Sequence, residues 1–205
     1  MTTLIVFAKA PEAGLVKTRL IPALGPAGAA RLADRLLRHA VQQALAAGLG
    51  PVDLCVSPDA GHPVFAELAA SATLQLSLQG EGDLGQRMSG AFCRVLAHDR
   101  AALLIGTDAP AVDAACLRRA AAALHSHDAV FVPAADGGYA LVGLKRPAPA
   151  LFDGMQWSHA QVMADTRAQL AASGLRHLEL PTVHDIDRPA DLTHLPAAWR
   201  PWPRQ

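Results

Sequence analysis

Three cations, Lys9, Lys17 and Arg19, fall within eleven residues in a stretch that opens apolar and ends loop-like, LIVFAKAPEAGLVKTRLIPAL from Leu4 to Leu24. A strand that feeds a Gly- and Pro-punctuated loop carrying cations is how α/β enzymes hold the phosphates of a nucleotide. Gly14 allows close backbone approach, Lys17 offers a point charge, and Arg19 can grip two phosphate oxygens at once. The loop is neither a Walker loop nor a dinucleotide fingerprint, since GxxxxGK[ST] and GxGxxG are both absent. The plainer alternative is an exposed basic loop.

Carboxylates supply the complementary chemistry. In LLIGTDAP, Asp108 follows an apolar run and Gly106-Thr107, at the strand end where α/β sheets bind ligands. It reads as a ligand for Mg2+ (or Mn2+), which takes one or two carboxylates together with substrate phosphates, or else as the N-cap of the following helix. In HDIDRPADL, alternation puts Asp185 and Asp187 on one side of an extended backbone. Either can give the ion its second carboxylate, while Asp187 can instead cap a short helix starting near Pro189.

Two glycine-bearing segments complete the set. In PAADGGYALVG, Gly137 and Gly138 let the backbone turn against a ligand and Asp136 can accept hydrogen bonds from sugar-type hydroxyls, although DGG is also a plain hairpin turn. In QGEGDLGQRM, Gly80, Gly82 and Gly85 suggest a flexible loop, with Gln79 and Arg87 able to meet a base or phosphate. The nine histidines do not cluster at metal spacing, and no Ser–His–Asp or Cys–His arrangement stands out.

The elements that must position these residues follow from apolar patterning. Leu4–Phe7, Val52–Val56, Leu74–Leu78, Ala102–Ile105, Ala129–Val132, Tyr139–Leu144 and His177–Leu180 read as strands, most of them covered on both faces. Pro26–Ala47, Gly85–Ala97, Asp113–Leu124 and Ser158–Ala172 read as helices. Alternation of the two predicts an α/β fold with a mostly parallel sheet and right-handed crossovers. The region from Pro133 to Leu144 and around Trp157 interrupts that alternation, as where a nucleotide half is followed by a substrate half. The chain from residue 1 to 195 is expected to form one domain, with a Pro-rich tail over 196–205 packed down by Trp199 and Trp202.

Composition narrows the partners. Lys plus Arg and Asp plus Glu number 18 each, so no overall field exists to hold nucleic acid or an anionic membrane. Cys55, Cys93 and Cys116 lack metal or redox spacing and read as reduced residues of a cytoplasmic protein. No apolar run approaches the roughly 20 residues a membrane span needs, and no secretory leader is evident.

Taken in order, FAKAPEAGLVKTRL, LIGTDAP, PAADGGYALVGL, the QWS at Trp157 and HDIDRPADL resemble the bacterial radical-SAM/selenodomain-associated glycosyltransferase family. The resemblance runs from Leu4 to about Leu192, and more distantly the arrangement is similar to molybdenum cofactor and phospholactate guanylyltransferases. It implies a GT-A type nucleotide-diphospho-sugar transferase fold, with Lys17 and Arg19 facing nucleotide phosphates. It further implies that Asp108 binds the divalent ion and that Asp136, Gly137 and Gly138 line the sugar or acceptor pocket. A full DxD is lacking, because Thr107-Asp108 offers one carboxylate. The expected activity is metal-dependent glycosyl transfer from a nucleotide-sugar to a small-molecule acceptor. The alternatives are nucleotidyl transfer from a nucleoside triphosphate with release of pyrophosphate, and a non-catalytic nucleotide-binding protein.

Overall fold

A computed structural model describes residues 1–200. Seven strands, β1 (Thr2–Lys9), β2 (Val52–Ser57), β3 (Gln75–Leu78), β4 (Ala101–Ile105), β5 (Ala129–Pro133), β6 (Tyr139–Leu144) and β7 (His177–Glu179), form one sheet ordered β3-β2-β1-β4-β6-β5-β7. All pairings are parallel except those of β6, which runs against both β4 and β5. The reversal is forced by chain length. Only Ala134–Gly138 separates β5 from β6, which suffices for a hairpin, whereas a parallel crossover needs a dozen or more residues. The result is an α/β fold whose mostly parallel sheet is flanked by helices.

Among the described residues five α-helices cover the sheet: α1 (Ile21–Ala47), α2 (Pro63–Ser71), α3 (Leu84–Leu96), α4 (Ala114–Ala123) and α5 (Val162–Ala172). Alternation along β1 sends Leu4, Val6 and Ala8 to a core shared with α1 and α4, and Ile5 and Phe7 to a second core. That second core is filled by Met88 and Phe92 of α3 and by Met163 and Leu170 of α5. Helix α1 starts five residues before the predicted Pro26 and is interrupted at Gly25, which has φ +68°. The nine-residue α2 was not anticipated; Pro63 sits in its first turn and the His62 ring accepts the Val64 N–H at 3.3 Å.

A third apolar cluster matters most for the site. Leu20, Leu24, Leu32 and Leu36 enclose Ile186 and Leu195, pinning the C-terminal segment to the start of α1. Trp199 extends this contact, its ring 5.1 Å from His39 and 4.4 Å below the Arg35 guanidinium carbon. Trp202, expected to pack beside it, lies outside the described residues. Among the described residues no helix is long and apolar enough to cross a membrane.

Candidate active site

β1, β4 and β5 all end at one edge of the sheet, and β6 begins there. Loops leaving that edge therefore meet, and three of them are joined by one side chain. Lys17 adopts a left-handed backbone (φ 48°, ψ 40°) just before a single 3-10 turn, Thr18–Leu20. This turns its side chain inward until only 6% remains exposed, with Nζ 2.8 Å from Asp108 Oδ1. The same ammonium donates to the Ile186 carbonyl at 2.6 Å. The Ile186 N–H in turn donates to the Asp108 carbonyl at 2.8 Å. The loops after β1 and β4 and the C-terminal segment are thus one hydrogen-bonded unit.

Ile186 is fully buried, and the aspartates on either side of it remain half-buried at the edge. Asp187 forms an ion pair with Arg19, whose guanidinium is held further into the charged range by that bond and by the fields of Asp187, Asp136 and Asp185. The carboxyl of Asp185 is pushed above the usual carboxylate range by burial first, then by Asp136, Asp191 and Asp108. Five carboxylates here face two cations.

Two structural alternatives for the aspartates fall away. The N-cap of α4 is Asp113, whose carboxylate accepts from Cys116 N–H at 2.7 Å, so Asp108 does no capping. The short 3-10 helix Pro189–His194 is capped by Asp191, which accepts the N–H groups of Asp187 (3.1 Å) and Arg188 (2.6 Å). Asp187 is committed to Arg19 instead. Asp191 was not singled out from sequence, although an acidic side chain three residues after the N-cap is a known capping signal.

The glycine-bearing segments turn out to be more structural than expected. Asp136 does face the cluster, with one oxygen accepting the Gly138 N–H at 2.9 Å in the β5–β6 hairpin. Gly137 (φ +95°) gives its bare face to the chain itself: a Cβ would lie 2.0 Å from the Ala160 carbonyl oxygen. Gly85 lies in the first turn of α3, within the predicted helix rather than in the loop before it; a capping box of Asp83 and Gln86 starts the helix, and the Trp157 indole lies against Gly85. Gln79 and Arg87 hold each other. The Gln79 amide donates to the carbonyls of Ala8 (3.2 Å) and Cys55 (3.1 Å) and accepts from Arg87 Nη1 at 3.1 Å, stitching β1, β2 and α3. Lys9 is exposed at the end of β1, and Gly14 (φ +85°) has open space around it.

Comparison with known proteins accords with this architecture. Residues 36–159 match the family described as "Uncharacterized protein conserved in bacteria (DUF2064)". The chain belongs to this family. No curated protein sequence matches it. Among solved structures, a candidate nucleotide-diphospho-sugar transferase from Desulfovibrio desulfuricans G20 is 29% identical, with TM-score 0.87 over 98% of this chain and 90% of that one. CMP:2-keto-3-deoxy-manno-octonic acid synthetase complexed with CTP has 10% identity and TM-score 0.60, covering 95% of this chain and 96% of that one. A Mycobacterium tuberculosis protein in complex with manganese has 20% identity and TM-score 0.55, covering 95% of this chain and 97% of that one. The fold of this DUF2064 member is thus that of nucleotide-diphospho-sugar transferases and nucleotidyltransferases.

Whether these residues suit a divalent cation can be judged from their charge. Among the described residues no three His, Cys, Asp or Glu side chains stand at coordinating spacing. The cluster nevertheless offers hard oxygen donors in excess of its cations. Oxygen donors with surplus negative charge are what Mg2+ or Mn2+ binds. Asp108, about half exposed despite its bond to Lys17, keeps an oxygen accessible. The donor set fits.

Proposed function

We propose that this protein is a metal-dependent transferase of the cytoplasm that uses a nucleotide-sugar as glycosyl donor to a small-molecule acceptor, and that it belongs to the radical-SAM/selenodomain-associated glycosyltransferase branch. The observation that carries the reading is the joining of Lys17, Arg19, Asp108, Asp136, Asp185 and Asp187 at the carboxyl edge of the sheet. The similarity to the D. desulfuricans protein supports the sugar-nucleotide donor.

In this reading Asp108, with Asp185 or Asp187, holds Mg2+ or Mn2+, which supplies Lewis-acid stabilisation of the departing diphosphate. The protein's own groups do the rest. An ammonium has three N–H donors, and Lys17 spends two on Asp108 and Ile186, leaving one for a phosphate oxygen. Asp108 and the Ile186 carbonyl fix that ammonium, so the charge is in place before the bond breaks. Arg19 spends Nη1 on Asp187 and keeps further N–H groups for the diphosphate, while Lys9 and the open backbone at Gly14 face the nucleotide. Gln79, Arg87 and Gly85 shape its pocket from behind. The second oxygen of Asp136 accepts a hydrogen bond from the sugar or acceptor hydroxyl, with Gly137 and Gly138 setting its position.

A second reading, nucleotidyl transfer, is favoured by one specific feature. The loop after β4 offers the single carboxylate Asp108, and any second one comes from the distant Asp185–Asp187 segment. In that case the cations would sit on a triphosphate and pyrophosphate would leave. Product analysis separates the readings: incubation with Mg2+ and nucleotide-sugars or nucleoside triphosphates should release nucleoside diphosphate in the first case and pyrophosphate in the second. Nucleotide binding with neither product would leave a non-catalytic binding protein.

A further inference from the structure

Among the described residues, two side-chain polar atoms are buried without a hydrogen-bond partner, and they belong to neighbouring rings: Tyr139 Oη and Trp157 Nε1. The rings meet edge to face with centroids 6.4 Å apart, and Tyr139 also packs edge-on against Phe131 at 5.2 Å. Leaving a buried donor unsatisfied is unfavourable, and native structures keep very few. Finding both on adjacent rings, at the functional edge of the sheet, calls for an explanation beyond packing.

Their location supplies one. Tyr139 opens β6 three residues after Asp136, and the adjacent Ala140 carbonyl accepts the Gly106 N–H at 3.3 Å, two residues before Asp108. Trp157 lies in the segment 153–161 that leads into α5. The side-chain bonds of this segment are largely internal, His159 Nε2 with the Gln156 carbonyl (2.9 Å) and Gln161 N–H to His159 Nδ1 (3.2 Å). Next to Trp157, Ser158 holds φ +67°, a left-handed conformation uncommon for a residue with a side chain. A cavity of about 290 Å3 lies alongside, lined by Gly154, Met155, Gln156, His159, Asp165 and Gln169. The indole resting on Gly85 and the Ala160 carbonyl packed on Gly137 hold this segment down, with room beside it.

We propose that Tyr139 and Trp157 recognise the acceptor, donating hydrogen bonds to the oxygens of an uncharged polyhydroxylated molecule admitted by displacement of segment 153–161. The assignment rests on the transferase reading. Neutral donors set in aromatic faces suit hydroxyl oxygens, whereas a phosphate would call for cations. Burial keeps the Tyr139 phenol protonated, so it remains a donor, and Asp136 next to it accepts from hydroxyls in return.

The test uses glycerol, erythritol and D-glucose as probes, each titrated into the full chain in the millimolar range while tryptophan emission is recorded. At least one should give a saturable change. Tyr139→Phe, which removes only the hydroxyl, should weaken that response by about tenfold, one hydrogen bond's worth. Its melting temperature should equal or exceed that of the parent, because an unpartnered buried hydroxyl has gone. Trp157→Phe should abolish the emission change. Absence of a saturable response to all three probes, or an unchanged response in Tyr139→Phe, overturns the proposal. Nucleotide binding measured in parallel separates the two claims: binding intact without a polyol response defeats this inference alone. A polyol response without any nucleotide binding defeats the transferase reading and the acceptor role with it.

Discussion

The ammonium of Lys17 and the carboxylate of Asp108, 2.8 Å apart, tie the first loop of the sheet to the loop after its central strand. Lys17 is the buried partner and Asp108 the exposed one, so the ammonium is held in a fixed position. Lys17→Met should lower stability by about 1–2 kcal/mol through loss of the bond to Ile186. Turnover should fall by roughly 10²–10⁴ if the fixed charge stabilises the leaving diphosphate. Denaturant titration and a donor-turnover assay on the same preparation measure both.

Asp187 and Asp191 lie four residues apart and should respond oppositely. Asp191→Ala removes the acceptor for two backbone N–H groups and should cost about 0.5–2 kcal/mol. Asp187→Ala releases Arg19; because the guanidinium is exposed, stability should change little, whereas nucleotide affinity should fall. Urea melts and nucleotide titrations of the two variants distinguish the capping residue from the positioning one.

Gly137→Ala brings a Cβ to 2.0 Å from the Ala160 carbonyl at a backbone φ of +95°. Strain and clash together should cost about 2–4 kcal/mol and loosen the start of α5. Gly14→Ala, with a positive φ but open surroundings, should cost about 1 kcal/mol. A thermal melt of each variant tests the contrast.

Two carboxylates should give opposite pH signatures. Asp185 has a raised pKa, so the native state holds its proton more tightly than the unfolded chain. Its contribution is full below the unfolded value of about 3.9 and is lost as pH rises through the folded value. Glu179 is held below its usual range by its two bonds to Arg167. Its contribution is full above the unfolded value of about 4.3 and is lost as pH falls through the folded one. Asp185→Asn should therefore stabilise the metal-free protein at neutral pH, while Arg167→Ala should destabilise it there by up to about 1 kcal/mol, an effect that shrinks as pH falls through the folded value of Glu179. Stability curves of both variants across acid pH provide the check.

The sheet is legible because its five inner strands are apolar runs buried on two faces, and the predicted bounds of all seven strands agree with the structure within a residue or two. The reversal of β6 was legible too, though unread: five residues around DGG cannot make a crossover. α2 escaped because nine residues with Pro63 in the first turn leave little periodicity to detect. At the site, residue types announced Lys17, Arg19 and the aspartates, but not their pairing. That Lys17 turns inward depends on a left-handed backbone at a non-glycine residue, which its type does not signal. That Gln79 and Arg87 face each other depends on how β3 and α3 dock, again a tertiary outcome.

The central claim is that this edge binds a nucleotide through a metal held by Asp108. Calorimetric titration of UDP-glucose and GTP into the wild-type protein and Asp108→Asn, each with MgCl2 or with EDTA, tests it most directly. At least one nucleotide should bind the wild type with Mg2+, and EDTA or the Asn substitution should weaken that binding at least tenfold. Binding indifferent to both, or no binding of either nucleotide under any of the four conditions, would contradict it.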